Sequence, residues 1–276
     1  MRTLVTSDGG GMGGAMTDSY ETRITRTILD AYHEKLSRSL VGDVLVVGAG
    51  PSGLMAAKEL ADQGRKVAVL ERELFPGGGI WGGAMGMNEV VVQEEAVYAI
   101  EGLGVRPRAT ADGLAAIDAM ELASALVLGA LRAGAVVLNL TTVDDLCVRD
   151  GGVCGVVANR TVLGARLPLD PISFQADAVL DATGHDAALV RMLHKRGLLD
   201  GPAAFPGEGA MDAETGERFV VDEVAEIYPR LWIAGMSVAA ARGGPRMGPI
   251  FGGMLLSGRA AAELIDLTLS LDAERL

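Results

Sequence analysis

At 276 residues the chain can hold one large α/β domain or two small ones, and 49% apolar content with only 4% aromatic residues requires an aliphatic core. A formal charge of −12 argues against a nucleic-acid surface, and no apolar run reaches the roughly 18–20 residues of a membrane span. Two cysteines make no disulfide framework and the N-terminus carries no signal-like apolar stretch, so a reducing cytoplasm is the expected setting.

Residues 1–16, with glycine at 9–11, 13 and 14, read as a flexible lead-in. From Asp18 to about Leu40, Ile24, Ile28, Tyr32 and Leu36 recur every four residues among charges. That spacing predicts a helical arm with one apolar stripe, suited to covering a sheet or a neighbouring subunit. Next, an apolar run from Asp43 meets Gly48, Gly50 and Gly53; an alanine-rich helix follows to about Gly64, and Lys66–Leu70 forms a second strand ending in Glu71 and Arg72. This is a βαβ unit for a dinucleotide. Gly48 allows the tight turn, Gly50 lets backbone N–H groups approach a pyrophosphate, and Gly53 lets helix and strand pack closely. The helix N-terminus adds the partial positive charge that phosphate favours. Glu71 stands where a carboxylate can accept from both ribose hydroxyls and repel a 2′-phosphate, although Arg72 beside it weakens that discrimination.

Phe75–Asn88 is too glycine-dense for a helix or regular strand. It reads as a loop wrapping a ligand, Trp81 and the methionines being unusual in the alternative, a mere linker. Val90–Ile100 passes from strand-like to helix-like, Asp118–Ala133 is a helix, and Gly134–Leu140 is a buried strand of a parallel sheet. Thr142–Val148 and Val153–Asn159 flank a glycine turn as a β-hairpin, with Cys147 and Cys154 as packing residues. Ala178–Gly184 and Leu231–Met236 are further apolar strands, and a final helix starts near Gly252. Together these predict an α/β, three-layer FAD/NAD-binding Rossmann-like fold over 17–276, a single domain with an embedded β-hairpin and the N-terminal helical arm. The loops after its strands converge on the ligand.

Polar residues gather at Asp170, at Thr183-Gly-His185-Asp186 and between Arg242 and Gly253. An imidazole and a carboxylate at such loops can ligate a divalent metal; equally, His185 can close its loop and Asp186 can cap the next helix. Arg246, after Pro245, suits a carboxylate or phosphate, its alternative being an ordinary surface arginine. His33 and His194 fall in helical, charge-rich contexts that predict solvation.

The Gly48–Gly53 turn, Glu71-Arg72, the Gly77–Gly83 loop, Asp181–Asp186 and Pro245–Gly253 together resemble the thiamine thiazole synthases that use NAD, from about Thr22 to Ile265. The resemblance implies that NAD is consumed as a substrate. Nicotinamide leaves, the ADP-ribose isomerises, glycine condenses, sulfur is added, and an ADP-thiazole carboxylate results. It implies Fe(II) held by His185 and by Asp170 from a neighbouring protomer, glycine bound by Arg246, and a dinucleotide lined by Gly48, Gly50, Ser52, Gly53, Glu71, Arg72, Gly79, Val143 and Met236. A shared site implies a homo-oligomer, an octamer in many members of the family. Two residues before Asp170, where the family carries a sulfur-donating cysteine or a histidine that goes with sulfide, stands Pro168. Proline has no sulfur to give, which points to sulfide as the donor. The alternatives are a diverged relative making another ADP-ribulose-derived product, a flavin oxidoreductase, and a nucleotide-binding protein without catalysis.

Overall fold

The computed structural model describes residues 18–163, 169–199 and 205–274; the lead-in 1–16 and Pro168 lie outside the described residues. The chain divides after Ser37 into two units. In the first, helix α1 (Tyr20–Ser39) starts where Ser19 Oγ accepts the Thr22 N–H at 3.3 Å, and an Asp18–Arg26 ion pair at 2.8 Å ties its entry to its second turn. Glu21 in its first turn and Arg38 in its last complement the helix dipole. Ile24, Ile28 and Tyr32 on the predicted stripe are exposed.

The second unit opens with the predicted βαβ: β1 (Val41–Val47), α2 (Pro51–Asp62) and β2 (Val67–Leu70), with Val44 opposite Val67 and Val47 opposite Leu70 in parallel register. After it come β3 (Glu89–Gln93), β4 (Arg108–Ala109), β5 (Leu114–Asp118), α3 (Ala119–Ala133), β6 (Val136–Leu138), β7 (Thr141–Arg149), β8 (Gly152–Arg160) and β9 (Ile172–Asp181). The chain closes with α4 (Ala188–Lys195), α5 (Ala213–Asp222), β10 (Ala225–Tyr228), β11 (Leu231–Ile233), α6 (Met236–Arg242) and α7 (Gly252–Ala273). The main sheet runs β10-β11-β9-β1-β2-β6. All its pairs are parallel except β10 with β11. Val44–Val47 and all of β2 are buried, as strands covered on both faces must be, which is why they read as unbroken apolar runs. The hairpin β7–β8 joins through β8, which pairs antiparallel with the first residues of β9, while the later residues of β9 pair with β1 and β11.

A second, three-stranded sheet ordered β3-β5-β4 was not expected from the sequence. Its strands are short: β4 has two residues, and β5 is Leu-Ala-Ala-Ile-Asp, a composition with little strand character. Burial nevertheless alternates along β3 and β5, with Val90, Val92, Ala115 and Ile117 inside. Among the described residues no helix is long and apolar enough to cross a membrane.

Helix α7 lies directly on the first turn of α2. A Cβ on Gly258 would stand 2.2 Å from the Ser52 carbonyl oxygen, and one on Gly53 would stand 2.0 Å from that of Gly48. Backbone, not a flexible side chain, fills both spaces. Gly258→Ala is therefore expected to cost about 2–3 kcal/mol, because α2 must move away from α7. A shift of the urea midpoint at unchanged slope is the measurement, and a neutral substitution would show that the two helices can separate freely.

Glu217 on α5 is buried against the start of α7. Its Oε2 accepts the Gly253 N–H at 2.7 Å, while its Oε1 and Oε1 of Gln93 are without a hydrogen-bond partner. Burial pushes its carboxyl up, against the pull of the bond from Gly253. A folded value above the unfolded one gives stability that is fully present in acid and is lost as the pH rises through the folded value. Glu217→Gln stays neutral and its amide can donate to Gln93. It should exceed the parent by about 1 kcal/mol near neutral pH and lose that advantage on acidification into the ordinary glutamate range. Denaturant melts at several pH values read this difference; a parent that gains nothing relative to the variant in acid overturns it.

Candidate active site

A cavity of about 870 Å³ opens where β1, β2 and β9 end and α2 begins. Gly48, at φ 99°, makes the turn after β1; its N–H donates to the Leu70 carbonyl at 2.8 Å, and a Cβ there would lie 2.4 Å from the Ala182 oxygen. Gly50 is the N-cap of α2 and Pro51 fills its first turn, so the free N–H groups of a twelve-residue helix face the cavity. Glu71, only 6% exposed, accepts the Ala49 N–H through Oε2 at 2.7 Å and the Glu73 N–H through Oε1 at 2.8 Å. Each oxygen keeps a lone pair for a ligand hydroxyl. The glycine-rich loop closes on this cradle. Its Gly77 N–H donates to the Ala49 carbonyl at 2.6 Å, Trp81 Nε1 donates to the Pro76 carbonyl at 2.7 Å, and the predicted irregular stretch winds into short 3-10 turns at Gly78–Gly82 and Ala84–Gly86.

Beyond β9 the chain turns through Thr183 to Asp186. Asp181 is fully buried and anchors this turn. Its Oδ1 accepts from the Thr183 N–H at 3.0 Å, the Thr183 hydroxyl at 2.7 Å and the Ser237 hydroxyl at 3.1 Å; its Oδ2 accepts from the Leu189 and Val190 N–H groups at 2.8 and 3.1 Å. Burial pushes this carboxyl up and the bonds from Thr183, Val190 and Leu189 oppose that shift. The start of α4 is thus satisfied by Asp181 and by Thr183 Oγ1, which accepts the Ala188 N–H at 2.7 Å. Of the two readings left open for this turn, the one in which Asp186 caps the helix does not hold: no side chain caps at that position, and Asp186 instead pairs with Arg72 at 2.8 Å across the cavity rim. That contact raises the Arg72 guanidinium above its usual value.

His185 Nδ1 lies 2.5 Å from Glu208 Oε1, and Glu208 Oε2 lies 3.4 Å from Arg246 Nε. His194 is not solvated as expected; it is half-buried on α4, its Nδ1 has no partner, and its ring sits 6.2 Å from that of Phe205. Cys147 and Cys154 are free thiols on the hairpin.

Residues 25–251 match the model of the Thi4 family. The chain belongs to the Thi4 family. Among its relatives, the thiamine thiazole synthase of Thermococcus kodakarensis is 49% identical over 88% of this chain and 96% of its own length. That of Thermotoga maritima is 47% identical over 88% and 95%. The crystal structure of Thermovibrio ammonificans THI4, 39% identical, superposes with a TM-score of 0.87 and covers 92% of this chain and 100% of its own.

Of the residues singled out in this Thi4 family sequence, Gly48, Gly50, Ser52, Glu71, Arg72, Gly79, Val143, His185, Met236 and Arg246 line the one cavity. Gly53 does not; it packs the first turn of α2 on Gly48. Asp170 does not either. It is exposed just before β9, whereas His185 follows the other end, and the nine residue steps of that strand span about 30 Å. Glu208 and Asp181, which organise the His185 turn, went unnoticed as site residues in the sequence. The one signal for Glu208 was an acid between Gly207 and Gly209 in an otherwise uncharged stretch.

Proposed function

We propose that this chain is a thiamine thiazole synthase that consumes NAD and glycine with sulfide as sulfur donor and forms an ADP-thiazole carboxylate in the cytoplasm. The observation that carries the reading is the single cavity that joins a dinucleotide cradle to His185 and Arg246. In this reading the start of α2 and the Gly48–Gly50 backbone hold the pyrophosphate, and the free lone pairs of Glu71 accept the adenosine ribose hydroxyls. Arg246 binds the glycine carboxylate beside the reacting sugar. Pro168 carries no sulfur, so sulfur enters from outside.

For Fe(II), His185 offers Nε2, because Nδ1 engages Glu208. Among the described residues no group of three or more His, Cys, Asp or Glu side chains gathers to hold a metal. One imidazole with one carboxylate fits ferrous iron in donor type but not in number. The set fits best when Asp170 of a second copy and the substrate complete it, which makes a homo-oligomer, of octamer type, part of the proposal. Iron bound there supplies a Lewis acid with positions open to substrate.

Anaerobic incubation with NAD, glycine, sulfide and Fe(II) should yield the ADP-thiazole carboxylate by mass spectrometry. Release of nicotinamide without any thiazole under those conditions rejects the proposal.

A further inference from the structure

We propose that Glu208 is a positioning residue that holds His185 and Arg246 in one fixed relation. The substrate part of this inference rests on the thiazole synthase reading; the geometric part does not. The His185 and Arg246 side chains are 60% and 55% exposed, and Glu208 is only 14% exposed between them. One of its carboxylate oxygens takes the imidazole Nδ1 at 2.5 Å, the other pairs with the guanidinium Nε at 3.4 Å. Among the described residues neither side chain has another polar partner, so Glu208 alone restrains two groups that would otherwise sample several rotamers.

The backbone that carries Glu208 is itself fixed. The Gly207 N–H donates to the Ala240 carbonyl at 3.1 Å and the Gly209 N–H to the Gly244 carbonyl at 2.8 Å, one on each side of Glu208. Two further bonds continue the seam: Arg246 N–H to the Ala210 carbonyl at 3.3 Å, and Asp212 N–H to the Arg246 carbonyl at 3.0 Å. The segment bearing the carboxylate and the segment bearing the guanidinium therefore move as one body. His185 reaches that body from a different strand end; the Ser237 hydroxyl of α6 ties its turn through the Gly184 carbonyl at 3.2 Å, and Glu208 is the contact that holds the imidazole itself.

An ionised carboxylate can only accept, so of the two neutral tautomers the bond selects the one with the proton on Nδ1 and the lone pair on Nε2. A partner on one ring nitrogen that sets the state of the other is the usual way an imidazole is readied to ligate or accept. The same carboxylate aims the guanidinium fork at a carboxylate substrate.

Two variants separate these roles. In Glu208→Gln the amide oxygen can still accept from Nδ1–H, but its NH2 then faces the Arg246 N–H. In Glu208→Leu both contacts go. Histidine 15N spectra of the full-length protein, assigned with His185→Gln, should show the Nδ1–H tautomer in the parent and in Glu208→Gln, and a shift toward Nε2–H in Glu208→Leu. In thiazole assays Glu208→Gln should raise the KM for glycine about tenfold with kcat held within about threefold, and Glu208→Leu should lower kcat about tenfold or more as well. Melting temperatures near that of the parent accompany these changes. An Nε2–H tautomer in the parent overturns the inference without any variant, as do kinetics of both variants that match the parent. A parent that makes no thiazole rejects the proposed function instead, and the tautomer spectra then decide on Glu208 by themselves.

Discussion

His185→Ala should lower thiazole formation by about a hundredfold or more, while affinity for ADP-containing ligands stays within about twofold of the parent. The two halves of this expectation come from separate parts of the cavity. In the proposed reading the pyrophosphate and ribose contacts fall to the backbone at Gly48–Ser52 and to Glu71, whose bonds to the Ala49 and Glu73 N–H groups do not involve the His185 turn. His185 contributes no bond to that cradle; its ring nitrogen engages Glu208. Its loss removes the one imidazole at the cavity but leaves the shape that grips the nucleotide. Product mass spectrometry reads the first half and calorimetric titration with ADP-ribose the second. Turnover retained in His185→Ala would move the chemistry elsewhere in the cavity. Nucleotide affinity lost along with turnover would show that the turn supports the cradle and has no separate role.

The cradle was legible because its physics is local. A βαβ unit needs an unbroken apolar strand, glycines where backbone must turn or approach, and an acid at the next strand end, and all of these lie between Asp43 and Arg72. The hairpin was equally plain, since a glycine turn between two β-rich runs specifies its own partner strand. Less local features were hidden. Glu208 lies 23 residues from His185 in the chain, and nothing in the sequence between them sets the pairing. It depends on the backbone seam between residues 207–212 and 240–246. The alternative that Asp186 caps α4 failed for a related reason. Two donors at the start of α4 were already taken by Asp181, eight and nine residues earlier, so the adjacent acid was free to reach Arg72. Asp170 shows the limit from the other side: its link to His185 in the family pattern has no counterpart within a single chain, where β9 separates the two.

Asp181→Asn is expected to destabilise the protein by about 3–5 kcal/mol, a large share of a typical folding free energy. Asparagine has nearly the same shape, so packing is not the cause. Asp181 is fully buried and every group around it donates: two N–H groups to Oδ2, and one N–H with two hydroxyls to Oδ1. Whichever oxygen becomes NH2, a backbone N–H is left facing another donor with no water to replace the bond, and buried donors left in that state cost about 1–3 kcal/mol each. The hydroxyls of Thr183 and Ser237 can rotate to accept, but the Leu189, Val190 and Thr183 N–H groups cannot. If the amide turns its oxygen toward α4, the Thr183 N–H is orphaned and the turn that carries His185 loosens; if it turns the other way, the first turn of α4 does. In the first case the variant should also lose thiazole formation at temperatures well below its melting point, and in the second it should melt early yet remain active when cold. Guanidinium titration read alongside cold-temperature turnover tells the two apart, and a stability loss under about 1 kcal/mol would mean that the Asp181 contacts are replaceable by side-chain rearrangement.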